Sequence, residues 1–323
     1  MDPTKQKASV AWLSVISNIT LVVLKVIVGL TIGSVSVISE AIHSGVDLLA
    51  SVIALVAVKK SGKPADENHP FGHGKYENIS GTVEALLIFL AAGWIVYEAV
   101  QKLIHTHTVD MPGWGVAVMA FSASANWVVS SMLFRVSRKT GSVALEADGW
   151  HLRTDVYTSV GVMAGLGAIT LGARTMPHVN LQWLDPVVAI FVAALILRAA
   201  YRLTVQSARD LLDMNLPAAE EKMIRDLLEE FRPRIRGYHR LRTRKSGHVR
   251  FIEFHIFVDA NMTVDESHRL DHETAHQIQD ALPDSNVSVH VEPCKGNCNE
   301  DCRQSCLLTD AQRQTIQRQR KQP

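Results

Sequence analysis

Six long apolar stretches in the first 206 residues set the strongest limit on what this chain can fold into. Residues 8–34 contain a single ionisable side chain, Lys25, among many Val, Leu and Ile residues. About 20 apolar residues in a helix cross the hydrocarbon core of a bilayer. Five further stretches of this kind cover residues 35–58, 79–101, 112–134, 143–172 and 184–205. The sequence therefore predicts six transmembrane helices, since six such lengths would make an improbable soluble core.

Charged residues divide the chain into two parts. Of its 65 Asp, Glu, Lys and Arg residues, 28 lie in residues 1–206 and 37 in the remaining 117. This distribution predicts a transmembrane domain over residues 1–206 and a charge-rich soluble region from residue 207. The net charge of +1 argues against nucleic acid as a partner, because nucleic-acid-binding domains are usually strongly basic.

The positions of Lys and Arg in the short loops predict the orientation in the membrane. One set of loops carries Lys5, Lys7, Lys59, Lys60, Lys63, Arg135, Arg138, Lys139, Arg202 and Arg209. The opposite loops hold little beyond Lys102 and Arg174. Basic loops face the cytoplasm, so we expect both termini to be cytoplasmic. The first apolar run is too long for a cleavable signal peptide.

The pattern of apolar residues in the soluble region predicts a small α+β domain over residues 207–293. Helical spacing covers residues 218–231 and 264–282, and strand-like runs cover residues 238–244, 249–258 and 286–291. The order α-β-β-α-β is typical of a metallochaperone-like sheet with helices on one face. Residues 294–323 are rich in Gln and Arg, which predicts a solvated polar tail.

A repeated histidine–aspartate motif lies inside two of the apolar stretches. His43 and Asp47 occupy span two, and His151 and Asp155 occupy span five. Residues four apart lie on one face of a helix. Two such faces turned toward each other supply four nitrogen and oxygen ligands, a set suited to a tetrahedral divalent ion such as zinc. The alternative is a structural ion-pair cluster.

Lys25, Glu84 and Asp148 are among the other ionisable residues within the predicted spans. For Lys25 we expect a side chain that snorkels or pairs with a neighbouring helix. Glu84 lies near the cytoplasmic end of span three, where we expect it to face water. Asp148 lies off the motif stripe of span five and is a candidate supporting group.

The loop between spans two and three carries a second set of candidate ligands. Its sequence, DENHPFGHGKYE, begins at Asp66 and contains His69 and His73. Gly72 and Gly74 allow the backbone to bend around an ion. The spacing of the three side chains therefore suits a metal site.

Together these motifs resemble the cation diffusion facilitator family of divalent metal/proton antiporters. The resemblance extends over residues 8–293 and rests on HSGVD (43–47), HLRTD (151–155), the DENHPFGHGKYE loop and LLDMNLP (211–217). It implies a homodimer in the bacterial inner membrane. It also implies a mid-membrane transport site formed by His43, Asp47, His151 and Asp155, and a loop site formed by Asp66, His69 and His73.

One position departs from the better-known bacterial members, in which the first ligand of span two is Asp. Here it is His43, as in the His-Asp/His-Asp set of vesicular zinc transporters. Imidazole is softer than carboxylate and favours zinc over manganese. Zinc is therefore the leading substrate, and ferrous iron, cobalt, cadmium and manganese are the alternatives.

The resemblance implies further metal ligands in the cytoplasmic domain. They are His239, His255, His268, His290 and Glu292, which match positions that bind regulatory ions at the dimer interface. The family more often has Asp at the position of Glu292, and Glu still coordinates metal. His272 and His276 continue the helical stripe of His268, and a solvated face is the simpler interpretation of these two.

Four cysteines repeat at C-x-x-x-C spacing in the tail. Cys294, Cys298, Cys302 and Cys306 match neither the spacing of a zinc ribbon nor that of an iron–sulfur protein. Thiols persist in a reducing cytoplasm. We interpret the repeat as a metal-binding or metal-sensing segment, which the general family pattern lacks.

These observations favour a transporter that exchanges cytoplasmic Zn²⁺ for protons by alternating access, with no organic cofactor and no enzymatic activity. The alternative is a membrane-anchored metal sensor that binds ions without moving them. Two intact ligand pairs in two spans favour transport, because a sensor needs only the soluble half. An intramembrane metalloprotease is disfavoured, since the sequence contains no H-E-x-x-H.

Overall fold

The computed structural model describes residues 3–32, 35–104, 113–175, 183–296 and 300–321. The chain divides into two compact units, Met1–Leu211 and Leu212–Pro323. The division falls five residues beyond the border that the charge distribution predicts.

The first unit consists of six long helices. They are α1 (Pro3–Ile32), α2 (Val35–Ser61), α3 (Lys75–Ile104), α4 (Gly113–Thr140), α5 (Val143–Thr175) and α6 (Leu184–Leu211). On the described residues, three stretches are long and apolar enough to cross a bilayer, namely Thr4–Thr31, Lys75–Gln101 and Pro186–Leu211. The apolar sequence of α5 is interrupted in its first half by five ionisable groups, Glu146, Asp148, His151, Arg153 and Asp155.

Apolar side chains hold these helices together in two clusters. One joins α1, α2, α4 and α5 and includes Val15, Val58 and Leu133. The other joins α3, α5 and α6 around Ile88 and Ile196. Large apolar side chains also lie on the outside of the unit, among them Leu30, Leu90, Trp94 and Phe191. An apolar exterior is what a helical unit surrounded by lipid requires.

A buried polar network links four segments of the first unit. Lys7 Nζ of α1 lies 3.0 Å from Glu77 Oε1 of α3, and both side chains are almost fully buried. Ser61 Oγ of α2 donates to the same carboxylate at 2.7 Å, and Ser142 Oγ, just before α5, donates to its second oxygen. Every charge in this network is therefore paired, as burial requires.

The second unit has the predicted α-β-β-α-β order, followed by two short helices. Its elements are α7 (Ala218–Glu230), β1 (Gly237–Ser246), β2 (Val249–Val258), α8 (Val264–Ala281), β3 (Ser285–Pro293), α9 (Glu300–Gln304) and α10 (Asp310–Lys321). The sheet order is β1-β2-β3. Strand β2 pairs with β1 antiparallel and with β3 parallel. The predicted α+β fold of this unit is confirmed.

One face of the sheet forms the hydrophobic core with α7 and α8. Ile252, Phe254 and Ile256 of β2 are buried there beside side chains such as Ile224 and Leu270. The alternation along β2 predicts this inward set. Phe251 is an exception on the other face, because it is only 6% exposed and lies under the Arg244 guanidinium at 4.4 Å.

Residues beyond β3 are packed against the domain, which corrects the prediction of a solvated tail. Leu307 is buried in the core of the second unit. Its backbone N–H donates to Arg236 O at 2.9 Å, and Tyr238 N–H donates to Ser305 O at 3.2 Å. A single apolar residue with two backbone hydrogen bonds anchors a segment that is otherwise polar. Composition averaged over 30 residues conceals such an anchor.

Candidate metal sites

Three of the four residues predicted for the transport site come together between α2 and α5. One ligand atom each from Asp47, His151 and Asp155 lies within 4.8 Å of the others. Asp47 Oδ1 lies 3.1 Å from His151 Nε2. Asp47 and His151 are each only 5% exposed. Two carboxylates and an imidazole at this separation can share one divalent ion.

His43 lies on α2 one turn before Asp47, on the same helical face. Its side chain lies outside the part of the chain that the structure describes. The imidazole of His43 as a fourth ligand is therefore still a prediction. The three described residues already draw on both of the motifs that the sequence singles out.

Buried polar groups surround this cluster. Asp148, one turn before His151 on α5, accepts a hydrogen bond from Ser51 Oγ of α2 at 2.9 Å. Ser51 in turn accepts one from Asn18 of α1 at 2.7 Å. Lys25 Nζ of α1 donates to Ser44 Oγ of α2 at 2.7 Å. These bonds connect α1 and α2 with the part of α5 that carries the candidate ligands.

Glu84 differs from its predicted environment. Its side chain is fully buried, and Ser80 Oγ donates to Glu84 Oε1 at 2.9 Å. We expected Glu84 to face water because it lies near the end of an apolar stretch. The helix begins earlier than the apolar stretch, since α3 starts at Lys75. Glu84 is thereby placed more than two turns inside the helix.

The loop between α2 and α3 brings Asp66, His69 and His73 together. Asp66 Oδ1 lies 3.1 Å from His69 Nδ1, and Asp66 Oδ2 lies 3.3 Å from His73 Nε2. A turn at Gly72, which has a φ of 80°, brings His73 back toward Asp66. The hydrogen bond from the backbone N–H of His69 lowers the pKa of Asp66. Asp66 therefore stays ionised at neutral pH and able to bind a cation.

Aromatic stacking at this loop is a contact that sequence motifs do not predict. The ring of Tyr76 stacks on that of His73 at 5.9 Å between centroids. Lys60 Nζ of α2 lies 4.9 Å from the centroid of the Tyr76 ring. His73 itself is only 7% exposed. Tyr76 therefore helps to hold the imidazole of His73 in a fixed orientation.

Three histidines form a row across the sheet of the second unit. His239 of β1 pairs with His255 of β2, and His255 pairs with His290 of β3. Glu292 lies two residues beyond His290 and thus on the same face. Its carboxylate lies 2.7 Å from His255 Nδ1 and 3.3 Å from His239 Nε2. His290 Nε2 is further away, at 3.8 Å.

The electrostatics of Glu292 favour a bound cation. Burial by itself would raise the pKa of Glu292. The hydrogen bond with His255 and the charge of the neighbouring imidazoles outweigh burial and lower this pKa. His239, His255 and Glu292 each offer a ligand atom within 4.8 Å of the others. The ionised carboxylate of Glu292 can therefore bind the same cation as the imidazoles of His239 and His255.

His268 is placed apart from this row within the described chain. It is exposed on α8, with its ring 4.5 Å from that of His272, and His272 lies 6.4 Å from His276. The three rings line a shallow depression along α8. A regulatory role for His268 at a dimer interface is still a prediction.

Three of the four cysteines are described. Cys294, Cys302 and Cys306 are partly exposed and none of them forms a disulfide. Cys298 lies outside the described residues. Cys302 belongs to α9, and Cys306 forms a backbone bridge with Gly237 at the edge of β1.

Comparisons with known proteins agree with this arrangement. A family model described as the cation efflux transmembrane domain matches residues 11–212, and one described as the cation efflux protein cytoplasmic domain matches residues 216–294. The chain is 34% identical over 261 residues to the uncharacterized transporter sll1263 of Synechocystis sp., covering 81% of this chain and 82% of that protein. It is 31% identical over 288 residues to the cation-efflux pump FieF of Salmonella choleraesuis, covering 89% and 92%.

A solved structure of CzrB in its Zn form is 37% identical, covers 27% of this chain and 97% of that chain, and has a TM-score of 0.25. Both family models match in the order in which the two units occur, and between them they account for most of the chain. The chain therefore belongs to the cation diffusion facilitator family and is a membrane protein of the cation efflux type.

Proposed function

We propose that this cation efflux transporter exports Zn²⁺ from the cytoplasm in exchange for protons. The observation that carries the proposal is the buried group of Asp47, His151 and Asp155, whose ligand atoms lie within 4.8 Å of one another between α2 and α5. Ionisable groups at membrane depth are costly and mark transport pathways by default. Here they have the composition and separation of a metal site.

Zinc fits this ligand set better than the harder divalent ions. With His43 included, the site holds two imidazoles and two carboxylates. Imidazole suits zinc, whereas manganese and magnesium prefer sites built mainly from oxygen. Ferrous iron, cobalt and cadmium also accept mixed nitrogen and oxygen ligands. These three ions are the principal competitors of zinc for the site.

Proton exchange follows from the chemistry of the same ligands. Imidazole and carboxylate bind metal only when they are deprotonated, so protons and metal compete for the site. Protons that arrive from the far side release the ion there. Motion of α2 and α5 against the other helices would expose the site to each side in turn.

The second unit supports a regulatory and dimeric role. The cytoplasmic-domain family model, whose name marks a dimerisation domain, matches residues 216–294, and the group of His239, His255 and Glu292 lies within this range. A cytoplasmic ion bound there would bias transport only if its affinity differs between the transport states. We propose a homodimer in the bacterial inner membrane. We also propose that both termini lie in the cytoplasm, and the distribution of Lys and Arg in the loops supports this orientation.

The test uses purified protein in liposomes that contain a zinc-sensitive dye. An imposed pH step drives zinc flux in the parent protein. We expect Asp155→Ala to lose this flux, because it removes a carboxylate from the α2–α5 group. Glu98→Gln is the matched control, since it removes an exposed carboxylate of α3 in the same unit and is expected to leave the flux unchanged.

Three outcomes would overturn parts of the proposal. Full flux in Asp155→Ala would exclude the α2–α5 group as the transport site. Zinc flux that ignores the pH step would exclude proton exchange. If the parent protein binds zinc and moves none, the membrane-anchored sensor is the better description. Parallel measurements with Fe²⁺, Co²⁺, Cd²⁺ and Mn²⁺ rank the competing substrates.

A further inference from the structure

A cavity of about 740 Å³ in the second unit brings the cysteine tail and the sheet together. Its lining includes Cys294, Cys302 and Cys306 from the tail, and His239 from β1. The sequence separates these groups by more than 50 residues. Sequence motifs therefore treat the cysteine repeat and the histidine row as two unrelated features, whereas the fold makes them neighbours.

The tail is held at this cavity by specific contacts. Cys306 forms an antiparallel bridge with Gly237, and Leu307 is buried in the core. Further along, Gln317 Nε2 of α10 donates to Gly296 O at 3.3 Å. These contacts fasten the tail on both sides of Cys302 and Cys306. The segment that carries Cys302 and Cys306 is therefore kept beside β1.

Strand register separates the described thiols into two groups. Gly237, Phe257 and Glu292 occupy one row of the sheet, and Cys306 extends this row beyond β1. Neighbouring strands are about 4.8 Å apart, so Cys306 and β3 lie roughly 14 Å apart. Cys294 follows directly after β3. It lies on the opposite wall of the cavity, too far away to share an ion with Cys306.

His239 is the imidazole nearest to Cys306 by register. It lies two residues beyond Gly237, on the same strand and the same face as the partner of Cys306. Diagonal neighbours of this kind lie about 7–8 Å apart between backbones, within reach of long side chains. Cys302 precedes Cys306 by four residues and lies in the middle of α9. Cys302, Cys306 and His239 thus line the same cavity.

We propose that Cys302, Cys306 and His239 form a binding site for a thiophilic divalent cation such as Zn²⁺ or Cd²⁺. Two thiolates and an imidazole are three of the four ligands in a Cys₂His site, and water takes the fourth position. Each thiol that binds releases one proton. The two thiolates neutralise the ion, so the filled site adds no net charge beside Arg236 and Arg240, which also line the cavity.

The site would share His239 with the group around Glu292. If His239 binds the ion held by the thiols, the group of His239, His255 and Glu292 loses one of its three ligands. The tail therefore links a soft-metal site to the cytoplasmic metal group of the family. This inference concerns the second unit alone and does not depend on transport through the first.

The test is a Cd²⁺ titration of the full-length protein in detergent, followed by the ultraviolet charge-transfer absorption of thiolate-bound cadmium. We expect the parent protein to show this absorption and Cys302→Ser/Cys306→Ser to lose it. His239→Ala should weaken the affinity by about tenfold or more, since even the partners that orient a metal ligand change affinity by about 10 to 100-fold.

Two matched controls separate this site from its neighbours. Cys294→Ser removes a thiol from the opposite wall, and His272→Ala removes an exposed imidazole of α8. Both should keep the absorption and the affinity. An absorption that survives in Cys302→Ser/Cys306→Ser, or requires Cys294, would overturn the proposed ligands. An affinity unchanged in His239→Ala would show a thiol-only site and overturn the link to the sheet. Circular dichroism of each variant confirms that the fold is retained.

Discussion

Single residues decide the metal preference of the α2–α5 site. Asp47 and Asp155 supply carboxylate oxygens, whereas His151 supplies a nitrogen that lies 3.1 Å from Asp47. Each exchange of an imidazole for a carboxylate makes the ligand set harder. Harder sets favour manganese over zinc. The ratio of the two ligand types is therefore the chemical variable that a substitution can change.

We expect His43→Asp to lower the preference for Zn²⁺ over Mn²⁺, because it replaces a nitrogen ligand with an oxygen ligand. The measurement is zinc flux in proteoliposomes with Mn²⁺ as competitor. The parent protein and Glu98→Gln serve as references. An unchanged ratio of zinc to manganese transport would indicate that His43 is not a ligand.

Elements of the first unit are joined by one carboxylate. Glu77 of α3 contacts Lys7 of α1, Ser61 of α2 and Ser142 before α5. A buried charge that loses its partner keeps its desolvation cost without compensation. Four segments therefore depend on a single side chain, which also lies two residues into the helix that follows the Asp66 loop.

We expect Glu77→Gln to destabilise the protein by about 3 kcal/mol, because Lys7 stays buried without its counter-charge. Thermal denaturation in detergent measures the change as a lower midpoint. The double variant Lys7→Met/Glu77→Gln should recover part of the loss, since it removes both charges. Equal midpoints for Glu77→Gln and the parent would mean that the network contributes nothing to stability.

Elements of the second unit are joined by a different ion pair. Arg250 of β2 binds Glu220 in the first turn of α7 through two bonds of 2.8 and 3.0 Å. The hydrogen bond from Arg250 lowers the pKa of Glu220. The pair therefore stabilises the fold above the ordinary pKa of Glu, about 4.3. That contribution is lost as the pH falls through the lowered value.

We expect Glu220→Gln to lower the midpoint of thermal unfolding at pH 7 by the equivalent of less than about 1 kcal/mol, because the pair is partly solvated. The difference from the parent should shrink as the pH falls below about 4. Asp226→Asn is the control, since it removes an exposed pair with Lys222 on the same helix. A difference that is constant with pH would exclude the ion pair as its cause.

The whole molecule shows what a sequence predicts well and where it fails. Long apolar runs and strict alternation predicted the helices and β2, because they reflect burial that persists over many residues. The H-x-x-x-D repeat predicted the Asp47, His151 and Asp155 group for the same reason, since helical periodicity fixes the face. Long-range contacts made by isolated side chains left no such pattern. The anchor at Leu307 and the burial of Glu84 are of this second kind.

The docking of residues 305–307 on β1 also bears on the solubility of the molecule. Strand β1 lies at an edge of the sheet, and an open edge offers unpaired N–H and C=O groups to any other extended chain. Ser305 O and the N–H of Leu307 occupy such groups at Tyr238 and Arg236. Residues 305–307 thus leave fewer unpaired backbone groups at this edge for strand-to-strand aggregation. A chain shortened at residue 294, where the match to the family domain ends, would expose the edge of β1 and aggregate more readily.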